Sequence, residues 1–143
     1  MRPLFCSALL LFASLNPAAA DVRIEGSTGG NALTFLSVFE SLRQSGERIV
    51  IDGPCFSACT LVFIAIPRSR ICVTKRAILG FHAARVVDQN GEQYPAEAER
   101  ATRVVAASYP APIRDWIGRH GGLTRKPIFL SGKTLWAMYP LCR

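Results

Sequence analysis

The sequence predicts an α/β fold with a short, mostly parallel sheet, βαβ crossovers and C-terminal helices. Short β-branched segments alternate with helical patterns between residues 22 and 81. The order strand, helix, strand, helix, strand within about sixty residues is typical of parallel strands joined by right-handed crossovers. Prolines then introduce further helical segments in the last third of the chain.

The predicted domain begins with a strand, a turn and an amphipathic helix. Residues 22–25 have strand character and precede the turn residues 27–30, which read Ser-Thr-Gly-Gly. From Asn31 onward apolar residues recur every three or four positions, which is the period of an amphipathic helix, and Gly46 ends the pattern. Residues 48–52 are rich in β-branched side chains and predict a second strand, which a Gly-Pro pair interrupts.

The central part of the chain predicts a buried helix and further strands. Residues 58–66 are almost wholly apolar and stop before a proline. We interpret them as a buried helix, with a strand as the alternative, because period alone does not distinguish the two in short apolar runs. The other predicted elements are, in order, strands over 71–74 and 77–81, a polar loop over 84–94, helices over 95–107 and 112–120, and a short helix after Ser131.

The first twenty residues have the three parts of a secretory signal peptide. Arg2 supplies the positive charge, residues 4–15 the uncharged apolar stretch, and Ala18 to Ala20 the cleavage pattern. The apolar stretch is shorter than the roughly 20 residues that cross a bilayer. We therefore expect a periplasmic or secreted protein with one domain over 21–143 and no membrane span after signal removal. An uncleaved anchor or a buried first helix is the alternative.

Four cysteines remain after the signal is removed, namely Cys55, Cys59, Cys72 and Cys142. An even number in an oxidising compartment indicates disulfides, and three pairings are open. We interpret the bridges as bracing the turn around Ser57, for example by joining Cys55 or Cys59 to Cys72. A zinc site is disfavoured because no C-x-x-C pair is present and histidine is scarce. A reactive thiol or redox pair is the remaining alternative.

The chain is basic, with 17 Lys and Arg residues against 10 Asp and Glu residues. These charges are spread along the sequence, without a basic tract of five or more and without interleaved aromatic residues. Nucleic acid is therefore not an expected partner. A positive surface facing an anionic membrane or cell wall is the simpler interpretation. No metal or cofactor is indicated.

Two polar residues fall where a parallel sheet forms its crevice. Ser57 precedes the apolar helix and His82 ends a strand, and the carboxyl ends of parallel strands line the natural binding crevice. A serine beside a histidine can lose its proton as it attacks a carbonyl carbon. The backbone amides of Gly30 and Ala58 could then hold the oxyanion. The structural alternatives are a helix N-cap for Ser57, a core histidine for His82 and a simple tight turn at Gly30.

The residues that carry this pattern resemble the ClpP/crotonase superfamily. The pattern is Ser-Thr-Gly-Gly at 27–30, then Gly53-x-x-x-Ser57-Ala58, then His82. The resemblance covers residues 22–84 and is strongest to the proteolytic subunit of Clp-type proteases and its exported relatives. It implies Ser57 as nucleophile, His82 as base, Gly30 and Ala58 as oxyanion donors, a peptide or ester substrate, and assembly into a homo-oligomer.

The chain departs from the family where an aspartate should orient the histidine. Residues 125–129 read Arg-Lys-Pro-Ile-Phe at that place. Asp52, Asp88 or Asp115 could substitute, a Ser–His dyad could act alone, or catalysis could be lost. The last case is the second hypothesis, a non-enzymatic exported domain that binds a partner or serves the envelope. The strands and helix that precede the glycine turn in the family are also missing here. Their absence favours this second hypothesis and suggests that the domain needs a partner surface.

Overall fold

A computed structural model describes residues 20–143 of the chain, so the signal-peptide prediction lies almost wholly outside the described residues. The described residues form eleven strands and α-helices, together with two short 3-10 helices. In chain order the elements are β1 (Asp21–Ile24), α1 (Ala32–Ser45), β2 (Arg48–Ile51), β3 (Pro54–Phe56), the 3-10 helix Ser57–Leu61, α2 (Val62–Ala65), the 3-10 helix Arg68–Arg70, β4 (Ile71–Val73), β5 (Ile78–Phe81), α3 (Pro95–Ser108), α4 (Ala111–Arg119), β6 (Ile128–Ser131) and α5 (Gly132–Met138).

The strands form two three-stranded sheets, whereas the sequence predicts one. The first sheet has the order β1-β2-β4 and is parallel throughout. The second has the order β3-β5-β6, in which β3 and β5 are parallel and β6 is antiparallel to β5. The chain passes from the first sheet to the second three times. Ser27, soon after β1, bridges to β3 of the second sheet. Strand β3 likewise follows β2, and β5 follows β4.

The crossing from the first sheet to the second depends on Gly53, between β2 and β3. A Cβ atom at Gly53 would overlap the backbone carbonyl oxygen of Glu25, so only glycine allows this approach. Backbone hydrogen bonds of 2.8 Å on either side, from Asp52 to Ile24 and from Ser27 to Pro54, hold the two crossing segments together.

The sequence patterns missed β3 and β6, both of which belong to the second sheet. The Gly53-Pro54 pair predicts the end of a strand, but Pro54 is instead the first residue of β3, where a missing N–H is tolerated. The apolar stretch after β3 divides into a 3-10 turn and the single-turn helix α2, so the long buried helix was only partly right.

Helix α1 has the ends that its sequence predicts. The Asn31 side chain accepts hydrogen bonds from the amides of Leu33 and Thr34, and Gly46 ends the helix in a left-handed conformation with φ of 86°. Phe39 is its fully buried residue and packs into the core beside the sheets. The glycine turn before Asn31 packs against the segment that follows β3.

The core lies between the strands and the helices on their flanks. Its fully buried side chains come from β2, β4, β5, the segment after β3, α4, β6 and α5, and include Ile49, Ile51, Val62, Phe63, Ile71, Val73, Leu79, Phe81, Ile113, Leu130 and Leu135. Helix α3 contributes no fully buried residue. Among residues 20–143 no helix is both long enough and apolar enough to span a membrane.

The buried carboxylate Asp52, directly after β2, binds residues of β1 and of the turn between β4 and β5. Hydrogen bonds from Arg76, Thr74 and Arg23 hold the pKa of Asp52 well below its usual range. The carboxylate therefore stays ionised and fully partnered in the folded protein. It has no capacity left to orient a histidine elsewhere.

The four cysteines form two disulfides, as their number predicts, but the suggested bridge to Cys72 is wrong. Cys55 pairs with Cys59 across the 3-10 turn, with Cα atoms 5.3 Å apart, and Cys72 pairs with Cys142, with Cα atoms 5.0 Å apart. Cys72 lies in the first sheet and Cys55 in the second. Because the C-terminal segment pairs with Val73 of β4, Cys142 lies beside Cys72 and becomes its partner.

Candidate active site

Ser57 lies on a sharp turn between a strand and a helix. It follows the last residue of β3 and begins the 3-10 helix. Its φ is +55°, and it is the one non-glycine residue among 20–143 with a positive φ. Serine in the left-handed region is strained, and such strain is typical of functional sites and of nucleophile turns. Its side chain caps no helix, so the N-cap alternative does not explain this conformation.

His82 follows the carboxyl end of the neighbouring parallel strand. In the register of β3 and β5, Phe56 is the partner of Gly80, so Ser57 lies level with Phe81 and His82 comes one position later. Neighbouring strands are about 4.8 Å apart. Both residues therefore lie at the same end of the same sheet, on adjacent strands, and both are half-buried.

The imidazole of His82 is held by a backbone carbonyl. Its Nδ1 lies 2.7 Å from the carbonyl oxygen of Ala83, and because a carbonyl oxygen only accepts hydrogen bonds, Nδ1 is the donor. The peptide unit of this carbonyl is fixed in turn, since its N–H, that of Ala84, donates to the Thr102 hydroxyl at 2.9 Å. In the neutral ring the proton is therefore on Nδ1, and Nε2 carries no proton and can accept one. Within residues 20–143 the Ser57 hydroxyl forms no hydrogen bond to this ring.

Pro127 lies just beyond the β5–β6 ladder, near the strand end that His82 follows. The last pair of that ladder is Phe81 with Ile128, and the regular register stops there, because the Ala83 N–H donates to the Thr124 carbonyl oxygen. None of the carboxylates suggested as substitutes forms a hydrogen bond to His82 in the described residues. Asp52 binds arginines, Asp88 accepts hydrogen bonds from the amides of its own turn, and Asp115 is an exposed residue of α4. In the described residues His82 therefore has a carbonyl acceptor and no carboxylate.

The glycine turn packs directly against the serine turn. A Cβ atom at Gly29 would lie 2.5 Å from the Ser57 Cβ atom and 3.0 Å from the Ala58 nitrogen. Gly29 and Gly30 have φ of 89° and 156°. Among residues 20–143, the amides of Gly30 and Ala58 donate no backbone hydrogen bond outside helices and strands. The glycine turn therefore lies against Ser57 and the Ala58 nitrogen, which is the proximity that the predicted oxyanion site needs.

Two hydrogen-bonded hydroxyl groups, those of Thr60 and Tyr109, hold the serine turn in place. The Thr60 Oγ1 donates to the Ser57 carbonyl oxygen at 2.7 Å and lies 2.6 Å from the Tyr109 hydroxyl. Burial raises the pKa of Tyr109 to about 12, against a smaller lowering from the Thr60 hydrogen bond. Tyr109 therefore stays a protonated donor at neutral pH. Sequence patterns did not identify this pair, because Thr60 and Tyr109 are 49 residues apart.

The comparisons with known proteins support the fold. No protein-family model and no curated protein sequence matches the chain. Among solved structures, a mutant of ClpP1 from Listeria monocytogenes is similar with a TM-score of 0.54 and 13% identity, over 85% of this chain and 71% of that chain. At this identity the similarity establishes a ClpP-like fold. The roles of Ser57, His82, Gly30 and Ala58 stay predictions.

Proposed function

We propose that this protein is an exported serine hydrolase that cleaves peptide or ester bonds. The carrying observation is the left-handed backbone of Ser57, at the same sheet end as His82. A strained serine on a strand-to-helix turn is the arrangement in which a nucleophile is exposed at the end of a sheet. The ClpP-like fold supports the same class of chemistry by analogy.

In the proposed reaction Ser57 Oγ attacks the acyl carbon and its proton passes to Nε2 of His82. The amides of Gly30 and Ala58 stabilise the oxyanion, and the proton on Nε2 then goes to the leaving amine or alcohol. Water, deprotonated by the same nitrogen, releases the acyl group from Ser57. A general base contributes about 10²–10⁴-fold and one oxyanion donor roughly 10²–10³-fold.

The Ala83 carbonyl takes the place of the orienting aspartate in this proposal. It holds Nδ1–H and thereby selects the tautomer in which Nε2 accepts the serine proton. A neutral carbonyl stabilises the imidazolium less than a carboxylate does, because it carries no net charge. We therefore expect a slow hydrolase. Loss of the orienting carboxylate costs about 10⁴-fold in a triad enzyme.

Export is part of the proposal. Both disulfides join cysteines of the mature segment, and such bridges persist in oxidising compartments. The mature protein would begin at Asp21, without the predicted signal peptide. Assembly into a homo-oligomer also belongs to the proposal, and light scattering of the mature protein measures it directly.

A fluorophosphonate probe tests the serine chemistry directly. We expect the oxidised, folded protein to be labelled, with labelling abolished in Ser57→Ala and kept in Ser37→Ala, a serine on the exposed face of α1. His82→Ala should slow labelling by about 10²–10⁴-fold. Labelling that persists in Ser57→Ala, or no labelling of the folded protein over roughly pH 6–9, would refute the hydrolase.

The second candidate is a binding domain that has kept the scaffold without catalysis. The observation that favours it is the hydrogen-bond partner of His82, which among residues 20–143 is a backbone carbonyl and not a carboxylate. In that case the probe labels neither the parent nor the variants, although each folds. Mass spectrometry of probe-treated protein, together with circular dichroism of each variant, separates the two candidates.

A further inference from the structure

A cavity of about 560 Å³ opens beside His82. One wall comes from the segment 82–86 that follows β5, another from residues 93–102 at the start of α3, and a third from Leu123 and Arg125 before β6. Its volume lies in the usual range of small-ligand sites, roughly 300–1,000 Å³. An acyl group attached to Ser57 would lie next to His82, so its neighbouring atoms would extend into this cavity.

Two guanidinium groups without carboxylate partners line the cavity, those of Arg85 and Arg125. Within residues 20–143 neither forms a salt bridge, whereas five other arginines do. The cavity's one carboxylate, Glu99, is already paired with Arg103 one helical turn along α3. The cavity therefore has an uncompensated positive charge.

The two arginines lie on segments that a backbone hydrogen bond joins. The Ala83 N–H donates to the Thr124 carbonyl oxygen, Arg85 follows Ala83 by two residues, and Arg125 follows Thr124 directly. Further polar groups on the cavity wall, those of Gln93 and Tyr94, can donate hydrogen bonds, while alanine and valine side chains supply an apolar surface. Two guanidinium groups in a cavity that also has apolar side chains suit a carboxylate on a short aliphatic chain.

We infer that this cavity selects substrates with a carboxylate side chain on the acyl side of the cleaved bond, so that peptides with glutamate at that position are preferred. The inference rests on the proposed function for the position of the bond relative to His82. The binding of an acidic side chain by Arg85 and Arg125 does not require catalysis.

Binding to the Ser57→Ala protein tests the inference without any reaction. The probes are acetyl-Ala-Ala-Glu-amide and acetyl-Ala-Ala-Gln-amide, which differ in charge and hardly in shape, followed by NMR chemical-shift titration. We expect the Glu peptide to bind about tenfold more tightly than the Gln peptide. The preference should fall as salt is raised above roughly 0.15 M, because these arginines are partly open to solvent.

Arginine variants locate the effect. In the Ser57→Ala protein, Arg85→Gln and Arg125→Gln should each weaken binding of the Glu peptide by about three- to tenfold and leave the Gln peptide unchanged. Arg119→Gln removes the same charge from α4, outside the cavity, and should change neither affinity. Equal affinities for the two peptides, no saturable shift for either, or an equal effect of Arg119→Gln would overturn the inference.

The two proposals fail in different ways. A charge preference that depends on Arg85 and Arg125, in a protein that the fluorophosphonate never labels, keeps the cavity assignment and removes the hydrolase. Labelling at Ser57 together with equal affinity for both peptides keeps the hydrolase and removes the acidic-substrate assignment.

Discussion

Gly29 packs so closely against Ser57 that a Cβ atom on the glycine would lie 2.5 Å from the serine Cβ atom. The same atom would lie 2.7 Å from the Phe56 carbonyl oxygen. The glycine turn and the serine turn therefore form one unit, in which each limits the conformation of the other. The contact extends to the next residue, since the same atom would lie 3.0 Å from the Ala58 nitrogen.

Gly29→Ala should destabilise the protein and disrupt the serine turn. Alanine in the left-handed region costs about 1–2 kcal/mol, and the overlap with Ser57 and Phe56 should add about 1–3 kcal/mol. Gly91→Ala is a matched control, because Gly91 has a similar φ of 84° with nothing within 4 Å of a Cβ atom. Urea unfolding measures both variants. Equal losses in the two would show that the contact with Ser57 carries no strain.

Pro127→Asp should increase the reactivity of Ser57 towards the fluorophosphonate. Pro127 and His82 are the residues next to the last β5–β6 pair, Ile128 and Phe81, so the new carboxylate would lie near His82 and could hold the imidazolium that the reaction creates. We expect labelling to be about 10- to 100-fold faster, a fraction of the roughly 10⁴-fold effect in a triad enzyme. Pro127→Asn controls for loss of the proline and should have little effect. The prediction fails if both variants are labelled at the parent rate.

Removal of the Cys72–Cys142 disulfide should cost more stability than removal of the Cys55–Cys59 disulfide. The first closes a loop over a sequence separation of 70 and the second over a separation of 4. Chain entropy then predicts losses of about 4 and about 2 kcal/mol. Urea unfolding of Cys72→Ala/Cys142→Ala and of Cys55→Ala/Cys59→Ala measures both.

A larger loss of stability without the Cys55–Cys59 disulfide would contradict this order. It would mean that packing around Ser57 in the folded state contributes more to stability than chain entropy does. The shorter bridge is fully buried and spans the serine turn. Its loss should therefore reduce fluorophosphonate labelling even where the protein stays folded, whereas loss of the longer bridge should leave labelling of the folded protein unchanged.

Alkaline pH should destabilise the protein through two buried tyrosines. Burial raises the pKa of Tyr109 and of Tyr139 to about 12, while a tyrosine in an unfolded chain has a pKa of about 10. The folded state binds these protons more tightly, so the stabilisation is complete below pH of about 10 and is lost as the pH rises towards about 12.

Urea unfolding between pH of about 9 and 11.5 measures this loss. In Tyr109→Phe the fall in unfolding free energy over that range should be smaller than in the parent. At neutral pH the same variant should be less stable by about 1 kcal/mol, since Thr60 loses its hydroxyl partner. An identical pH dependence in parent and variant would mean that the pKa of Tyr109 is the same in the folded and unfolded states.

Local sequence patterns predicted helix ends better than sheet membership. The Asn31 cap and the Gly46 stop of α1 follow from side-chain chemistry within a few residues, and the structure has both. Strand β3 was missed because it is three residues long and begins with Pro54. Its partner is β5, and that pairing is invisible to local period.

Sequence patterns likewise predicted one part of the candidate site and missed another. Ser57, His82 and the glycine turn were identified from their order and from the strand ends that they follow. The Ala83 carbonyl and the Thr60–Tyr109 pair were not, because a backbone acceptor has no sequence signature and the hydroxyl partners are distant in the chain. A threonine three residues after the serine was the only local signal, since its hydroxyl can reach back to the preceding turn.

The amino-acid sequence alone determined the α/β class, the period and caps of α1, the even number of cysteines and the polar residues that follow strand ends, because each depends on neighbours within one turn or one strand. Tertiary structure decided the division into two sheets, the pairing of Cys72 with Cys142, the left-handed backbone of Ser57 and the carbonyl partner of His82. These features depend on which distant segments pack together, and backbone register and burial set that choice across tens of residues.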